Sequence, residues 1–166
     1  MMSILLVVRH ADAGDKRSWR RPDLLRPLSA TGRSQAVGLV ERLQDYPIER
    51  ILSSPAVRCQ QTVQPLARDR YLPIQSSPTL GVDGNAAELL ALFRDRRLSE
   101  TVLCGHGETI RWLLAHLAAD GLVGDAPLQA AKGSTWLLER TGRQVHAHYL
   151  PPLALAWQEA EMAGGH

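Results

Sequence analysis

Apolar residues along this chain fall into two rhythms, short unbroken runs and longer stretches with an apolar position every three to four residues. The first run, Ile4-Leu5-Leu6-Val7-Val8, has the continuous form of a strand buried on both faces, as in a parallel sheet. The helical rhythm follows, with Ala36, Leu39, Val40 and Leu43 on one face and Ser29 placed to cap a helix reaching about Tyr46. Arg50 to Ser53 predicts a strand, and the next helix has Ser54 as its cap and Pro55 as its first residue. Pro65 lacks a backbone N–H and predicts a kink or division in that helix.

The alternation continues with a short strand near Pro73 to Ser76 and a third helix from Asn85 to about Arg94, carrying Leu89, Leu90, Leu92 and Phe93. Thr101 to Cys104 predicts a strand and Glu108 to Ala118 a fourth helix. Ser134 to Glu139 and Gln144 to Leu150 alternate as a hairpin joined through Thr141-Gly142. Strands alternating with helices predict an α/β fold, a single-domain three-layer α/β/α sandwich with a mostly parallel central sheet. The domain is expected over residues 1–152, with 153–166 a tail that forms a short helix and then frays.

At 166 residues the chain is long enough for one substantial core. A net charge of +2 is too small to argue for nucleic acid or a membrane surface as partner. Local charge is more informative: Lys16, Arg17, Arg20, Arg21 and Arg26 crowd one loop against Asp15 and Asp23. That loop is either solvated surface or a substrate rim of Arg17, Arg20 and Arg21 that attracts anions. Cys59 and Cys104 offer no disulfide framework, and Met1 to Val8 has no basic region of a signal peptide. These features give a cytoplasmic protein as the expectation.

The first strand ends in Arg9-His10, which places a permanent cation and an imidazole beyond its carboxyl end. Open α/β sheets bind ligands there, so Arg9 can hold an anion and His10 can serve as nucleophile or base. Three more segments join the pair: Arg26-Pro27-Leu28-Ser29 leading into Thr31-Gly32-Arg33, Ser53-Ser54-Pro55-Ala56-Val57-Arg58-Cys59-Gln60-Gln61-Thr62, and Gly105-His106-Gly107-Glu108. Together they resemble the histidine phosphatase superfamily, with its RHG-type motif, its S-S-P-x-x-R-x-x-Q-T segment and its later histidine. The likeness runs from about Ile4 to Leu150 and looks most like the SixA branch, with phosphatase domains fused to Nudix hydrolases also similar. Ala11 stands where the signature has glycine, a departure the SixA-like branch tolerates.

The resemblance implies a histidine-phosphatase-like fold and a pocket of four residues. His10 would attack phosphorus through a neutral ring nitrogen, while a backbone carbonyl holds the other nitrogen and fixes the tautomer. Arg9 and Arg58 would grip phosphoryl oxygens, Arg58 from the first turn of its helix, and His106 would donate as charge builds. Candidates for the general acid or an orienting residue are Glu88, Asp83 and Asp12. Glu88, three residues after Asn85, equally fits a capping box, Asp83 favours the turn before Gly84, Asp12 lies close enough in sequence to orient His10 or approach the leaving group, and Glu108 suits a helix start. His146 and His148 share a strand face without an acidic or cysteine partner, so no metal site and no cofactor is expected. The tryptophans Trp19, Trp112, Trp136 and Trp157 read as packing or pocket rim.

The function this implies is a metal-independent phosphatase working through phosphohistidine on His10, SixA-like, with protein phosphohistidine as a candidate substrate. The alternatives are a phosphatase of small phosphoesters or nucleotide-derived phosphates, a phosphoglycerate-mutase-like transferase, and a non-catalytic phosphate-binding adaptor. The expected partner is a phosphorylated small molecule or a phosphohistidine protein. The short connection from Gly81 to Asn85 offers little material for a lid, so an open pocket is expected.

Overall fold

In the computed structural model, residues 2–121, 123–124 and 129–153 are described. The leading apolar run becomes β1 (Met2–Arg9), with Leu5, Leu6 and Val8 fully buried. After two 3-10 turns come α1 (Ala30–Arg42), β2 (Arg50–Ser53), α2 (Val57–Arg70) and β3 (Ile74–Ser76). A third 3-10 turn leads to α3 (Ala86–Arg94), β4 (Thr101–Gly105), α4 (Gly107–Ala119), β5 (Val123–Gly124), β6 (Thr135–Thr141) and β7 (Gln144–Leu150).

The strands form one sheet in the order β3-β2-β4-β1-β6-β7-β5. β3, β2, β4 and β1 run parallel, β6 pairs antiparallel with β1 and with β7, and β5 joins β7 in parallel. Successive side chains of a strand point to opposite faces, and the core divides accordingly. Leu5 and Val7 of β1 face α3 and α4, packing with Leu89, Phe93, Leu113 and Leu114. Leu6 and Val8 face α1 and α2, packing with Leu39, Leu43, Val63 and Leu66. The three-layer sandwich predicted from the alternation is therefore the observed fold.

Several local expectations are corrected. Ser54 does not cap α2: Ala56 holds the cap position, and the Ser54 hydroxyl turns toward His106 instead. Pro65 does not divide α2, which runs as one helix from Val57 to Arg70. α1 ends at Arg42 with Leu43 as its C-cap, short of Tyr46. The hairpin turns at Gly142-Arg143, because Thr141 still pairs with Gln144 and Gly142 takes a φ of +59° that suits glycine. Ser29 does cap α1 through Gly32 N, and Asn85 caps α3 through the amides of Ala87 and Glu88. Beyond Leu153, the expected tail helix and Trp157 lie outside the described residues. No helix among the described residues is long and apolar enough to cross a membrane.

Arg140 on β6 secures the side of the sheet away from the strand carboxyl ends. It is 1 % exposed, and its guanidinium donates to Phe93 O at 2.7 Å, Leu98 O at 2.5 Å and Ser3 Oγ at 3.0 Å. These bonds satisfy carbonyls at the end of α3 and in the link to β4. Replacing Arg140 by Ala leaves them unpaired, and the expected cost is about 2–4 kcal/mol. Urea denaturation of the wild type and Arg140→Ala reads this directly, and a difference near zero contradicts the assignment.

Candidate active site

The parallel strands bring three chain segments together at their carboxyl ends. Arg9 lies opposite Gly105, and Ser53 opposite Cys104. The ladder continues one residue past the strands, with His10 N donating to Gly105 O at 3.0 Å and Ser54 N to Cys104 O at 2.9 Å. His10, Ser54 and His106 thus emerge side by side. The rings of His10 and His106 meet edge to face with centroids 5.5 Å apart.

His10 is 7 % exposed, and its Nδ1 lies 2.8 Å from its neighbour's carbonyl, Ala11 O. A carbonyl only accepts, so Nδ1 carries the proton and Nε2 keeps its lone pair. Burial pushes the His10 pKa down to about 3. The positive charges of Arg58 and Arg9 add to that effect, and the Ala11 bond offsets part of it. The ring is therefore neutral, with one nitrogen ready to attack or accept. Thr62 Oγ1 accepts from Ala11 N at 2.9 Å, which ties this turn to α2.

Arg9 donates from Nη1 to Ala130 O at 2.5 Å, and its buried Nε has no hydrogen-bond partner among the described residues. Its guanidinium lies on the first turn of α4, where a Cβ on Gly107 would stand 2.8 Å from Arg9 Cζ. Gly107 thus makes room for a cation beside the positive end of a helix, an arrangement that favours an anion between them. Arg58, 4 % exposed, also has an unpartnered buried Nε. Its terminal nitrogens are taken by one residue, Nη1 by Asp23 O at 2.9 Å and Nη2 by Asp23 Oδ2 at 3.0 Å.

Arg58 Nη2 also lies 3.4 Å from His106 Nδ1. A guanidinium only donates, so His106 Nδ1 is an acceptor and Nε2 donates to Ser54 Oγ at 2.9 Å. A cavity of about 530 Å³ opens beside His106, walled by Ser54, Arg58, Asp23, Leu24, Val82 and Asp83 among others. His10 does not line it and is more covered than an open pocket implies.

The remaining sequence candidates scatter. Asp12 does not orient His10: its Oδ2 accepts from Ser29 Oγ at 2.6 Å and its Oδ1 lies 3.3 Å from Lys132 Nζ. The Ser29 bond leads in holding its carboxyl below the usual carboxylate range. Glu88 is exposed on the first turn of α3 and lines a separate hollow with Arg94 and Arg97. Asp83 alone of the three borders the cavity that holds His106 and Arg58. Arg17, Arg20 and Arg21 are exposed, yet the loop meets the cavity through Pro22, Asp23 and Leu24 instead. Arg26 leaves the basic rim entirely, being buried with Nη1 on Ala13 O at 2.8 Å. His148 sits 3.6 Å from Glu139, and no group of three or more His, Cys, Asp or Glu among the described residues is arranged to hold a metal.

Two residues of the site were not singled out from the sequence. Ser54 carries the signal of a helix cap, which hides its contact with His106. Asp23 reads as one acid among many bases, and only the folded loop shows that it pairs with Arg58.

A sequence model of the histidine phosphatase superfamily (branch 1) matches residues 5–81. The chain is 34% identical over 154 residues to a protein of Mycolicibacterium smegmatis (strain ATCC 700084 / mc(2)155) named 8-oxo-(d)GTP phosphatase. That match covers 89% of this chain and 48% of the relative, so the chain spans about half its length. Among solved structures, the protein histidine phosphatase SixA complexed with tungstate superposes with a TM-score of 0.72 at 21% identity, over 90% of this chain and 97% of that one. Mycobacterial glucosyl-3-phosphoglycerate phosphatase Rv2419c gives 0.62 at 18%, over 93% and 100%. At these identities the two structures share the fold.

The low pKa of His10 sets a pH dependence of stability. The unfolded chain binds a proton near the ordinary value of 6.5, and the folded chain only near 3. Unfolding therefore takes up a proton between these values. The contribution is intact above 6.5 and is lost as pH falls, at about 1.4 kcal/mol per pH unit. His10→Asn removes it, so urea denaturation at pH 7 and pH 4.5 should show the wild type losing about 2 kcal/mol more than the variant. Parallel losses in the two proteins contradict a buried neutral His10.

Proposed function

Since this chain belongs to the histidine phosphatase superfamily, we propose that it is a metal-independent phosphohydrolase that forms phosphohistidine on His10. The observation that carries this reading is the His10 tautomer, with Nδ1 on Ala11 O and Nε2 left unprotonated. In the first step Nε2 bonds to phosphorus while the bond from phosphorus to the leaving atom breaks. The leaving atom keeps the electron pair and takes a proton. In the second step water attacks phosphorus, the P–N bond breaks, and phosphate leaves with His10 neutral again.

Arg9 and Arg58 supply donors to the phosphoryl oxygens through nitrogens that have no partner among the described residues. His106 adds a donor once its proton turns from Ser54 to the phosphoryl group. Fixed donors of this kind stabilise the charge that spreads over the oxygens in transfer.

Protein phosphohistidine is the favoured substrate class. Its imidazole leaving group is readily protonated and needs little help, and the acid supply here is thin, with Asp12 and Glu88 engaged elsewhere and Asp83 exposed at the cavity edge. The likeness of fold to SixA agrees with this choice. A nucleotide-derived phosphate is the second reading, favoured by the relative named 8-oxo-(d)GTP phosphatase.

The test traps the intermediate. Brief reaction with a labelled substrate should leave an acid-labile, alkali-stable phosphoryl group on the wild type and none on His10→Ala, with turnover falling at least about 10³-fold. Chelator should leave the rate unchanged. Equal rates in the two proteins reject the reading. Specificity constants for a phosphohistidine protein, an oxidised nucleotide and an aryl phosphate then choose between the substrate classes.

A further inference from the structure

We propose that Asp23 is a positioning residue for phosphoryl transfer, holding Arg58 so that its Nε edge is the part left for the phosphoryl group. This rests on the reading of His10 as the phosphorylated residue. Asp23 meets Arg58 twice, from the main-chain carbonyl to Nη1 and from Oδ2 to Nη2. A guanidinium is planar, so fixing both terminal nitrogens also fixes the direction of the third N–H. That third nitrogen, Nε, is buried and has no partner among the described residues.

Asp23 is itself held. Its other oxygen, Oδ1, accepts from Arg26 Nε at 3.1 Å, and Arg26 Nη1 donates to Ala13 O at 2.8 Å. Ala13 lies three residues beyond His10. The path from Ala13 through Arg26 and Asp23 to Arg58 therefore braces the segment that bears the nucleophile against the first turn of α2. Burial works against the Asp23 carboxylate, and Arg26 with Arg58 outweighs it, keeping the group ionised. A loop residue serving the surface alone would need neither its second arginine nor its carbonyl contact.

An orientation effect is felt more in the transition state than in ground-state binding. With an aryl phosphate as substrate, Asp23→Ala should lower kcat by about 10- to 100-fold and move KM by less than about 3-fold. Asp23→Asn keeps the carbonyl and an amide oxygen at the same reach, so it should recover most of the rate. Asp23→Glu keeps the charge and shifts its reach by one methylene, so its kcat should fall below that of the Asn variant. The Asn and Glu pair carries the test where Asp23→Ala fails to fold.

A kcat in all variants equal to the wild type overturns the inference, as does Glu equalling or exceeding Asn. A lower KM with unchanged kcat also overturns it, and makes Asp23 an anion that competes with substrate. His10→Ala assayed beside them separates the two levels. An unchanged rate in His10→Ala rejects the phosphatase reading and this inference with it, whereas a lost rate there with normal Asp23 variants rejects this inference alone.

Discussion

Everything at the candidate site depends on the parallel register of β2, β4 and β1. Backbone pairing places Ser53 against Cys104 and Arg9 against Gly105, and it continues for one further hydrogen bond on each side of β4. A shift by one residue would turn Arg9 and His10 to opposite faces of the sheet and would exchange the two core layers. The register is secured by burial, since Leu5, Leu6, Val102 and Leu103 are all within 1 % of full burial and divide between the layers in strict alternation. The chemistry at the strand ends thus inherits its geometry from hydrophobic packing in the middle of the sheet.

On that frame the charges follow a single logic. His10 is kept neutral, while the groups around it are donors: Arg9, Arg58 and the amino end of α4. Gly107 allows Arg9 to lie against that helix end, and Asp23 neutralises Arg58 from the loop side without reaching Arg9. Of the three guanidinium Nε groups that are buried without a partner among the described residues, those of Arg9, Arg42 and Arg58, two are at this site, a costly state for polar hydrogens in a protein interior.

Much of this was legible in the sequence. The unbroken run before Arg9-His10 and the strand before Gly105-His106 locate strand ends, because a buried parallel strand leaves no other place for charged residues. Local motifs were less reliable where two roles compete for one residue. Ser54 has the composition of a helix cap, yet a nearby imidazole takes its hydroxyl and the cap passes to Ala56. Pro65 is accommodated inside α2 although it can donate no helical hydrogen bond. Asp12 stands two residues from His10 but bonds to Ser29 and Lys132, partners 17 and 120 residues away. The Arg26 side chain reads as basic surface and is buried, since its partner carbonyl at Ala13 is set only by the path of the loop. Contacts between distant segments carry no local periodicity, and that is why they escape a reading of one chain.

The central place of β1 has a consequence for how the molecule assembles. The strand that leads into His10 precedes the other strands of the sheet, but its two neighbours are Thr101–Gly105 and Thr135–Thr141. Until β4 has been synthesised, β1 has no lateral partner, and pairing it with either neighbour closes a loop of more than half the chain. Long-range closure of this kind slows folding and leaves an apolar strand edge exposed in the meantime. The site cannot form piecemeal under this topology. It is completed only after β4 and His106 are in place, so a chain that stops short of them has an unpaired first strand and no assembled pocket.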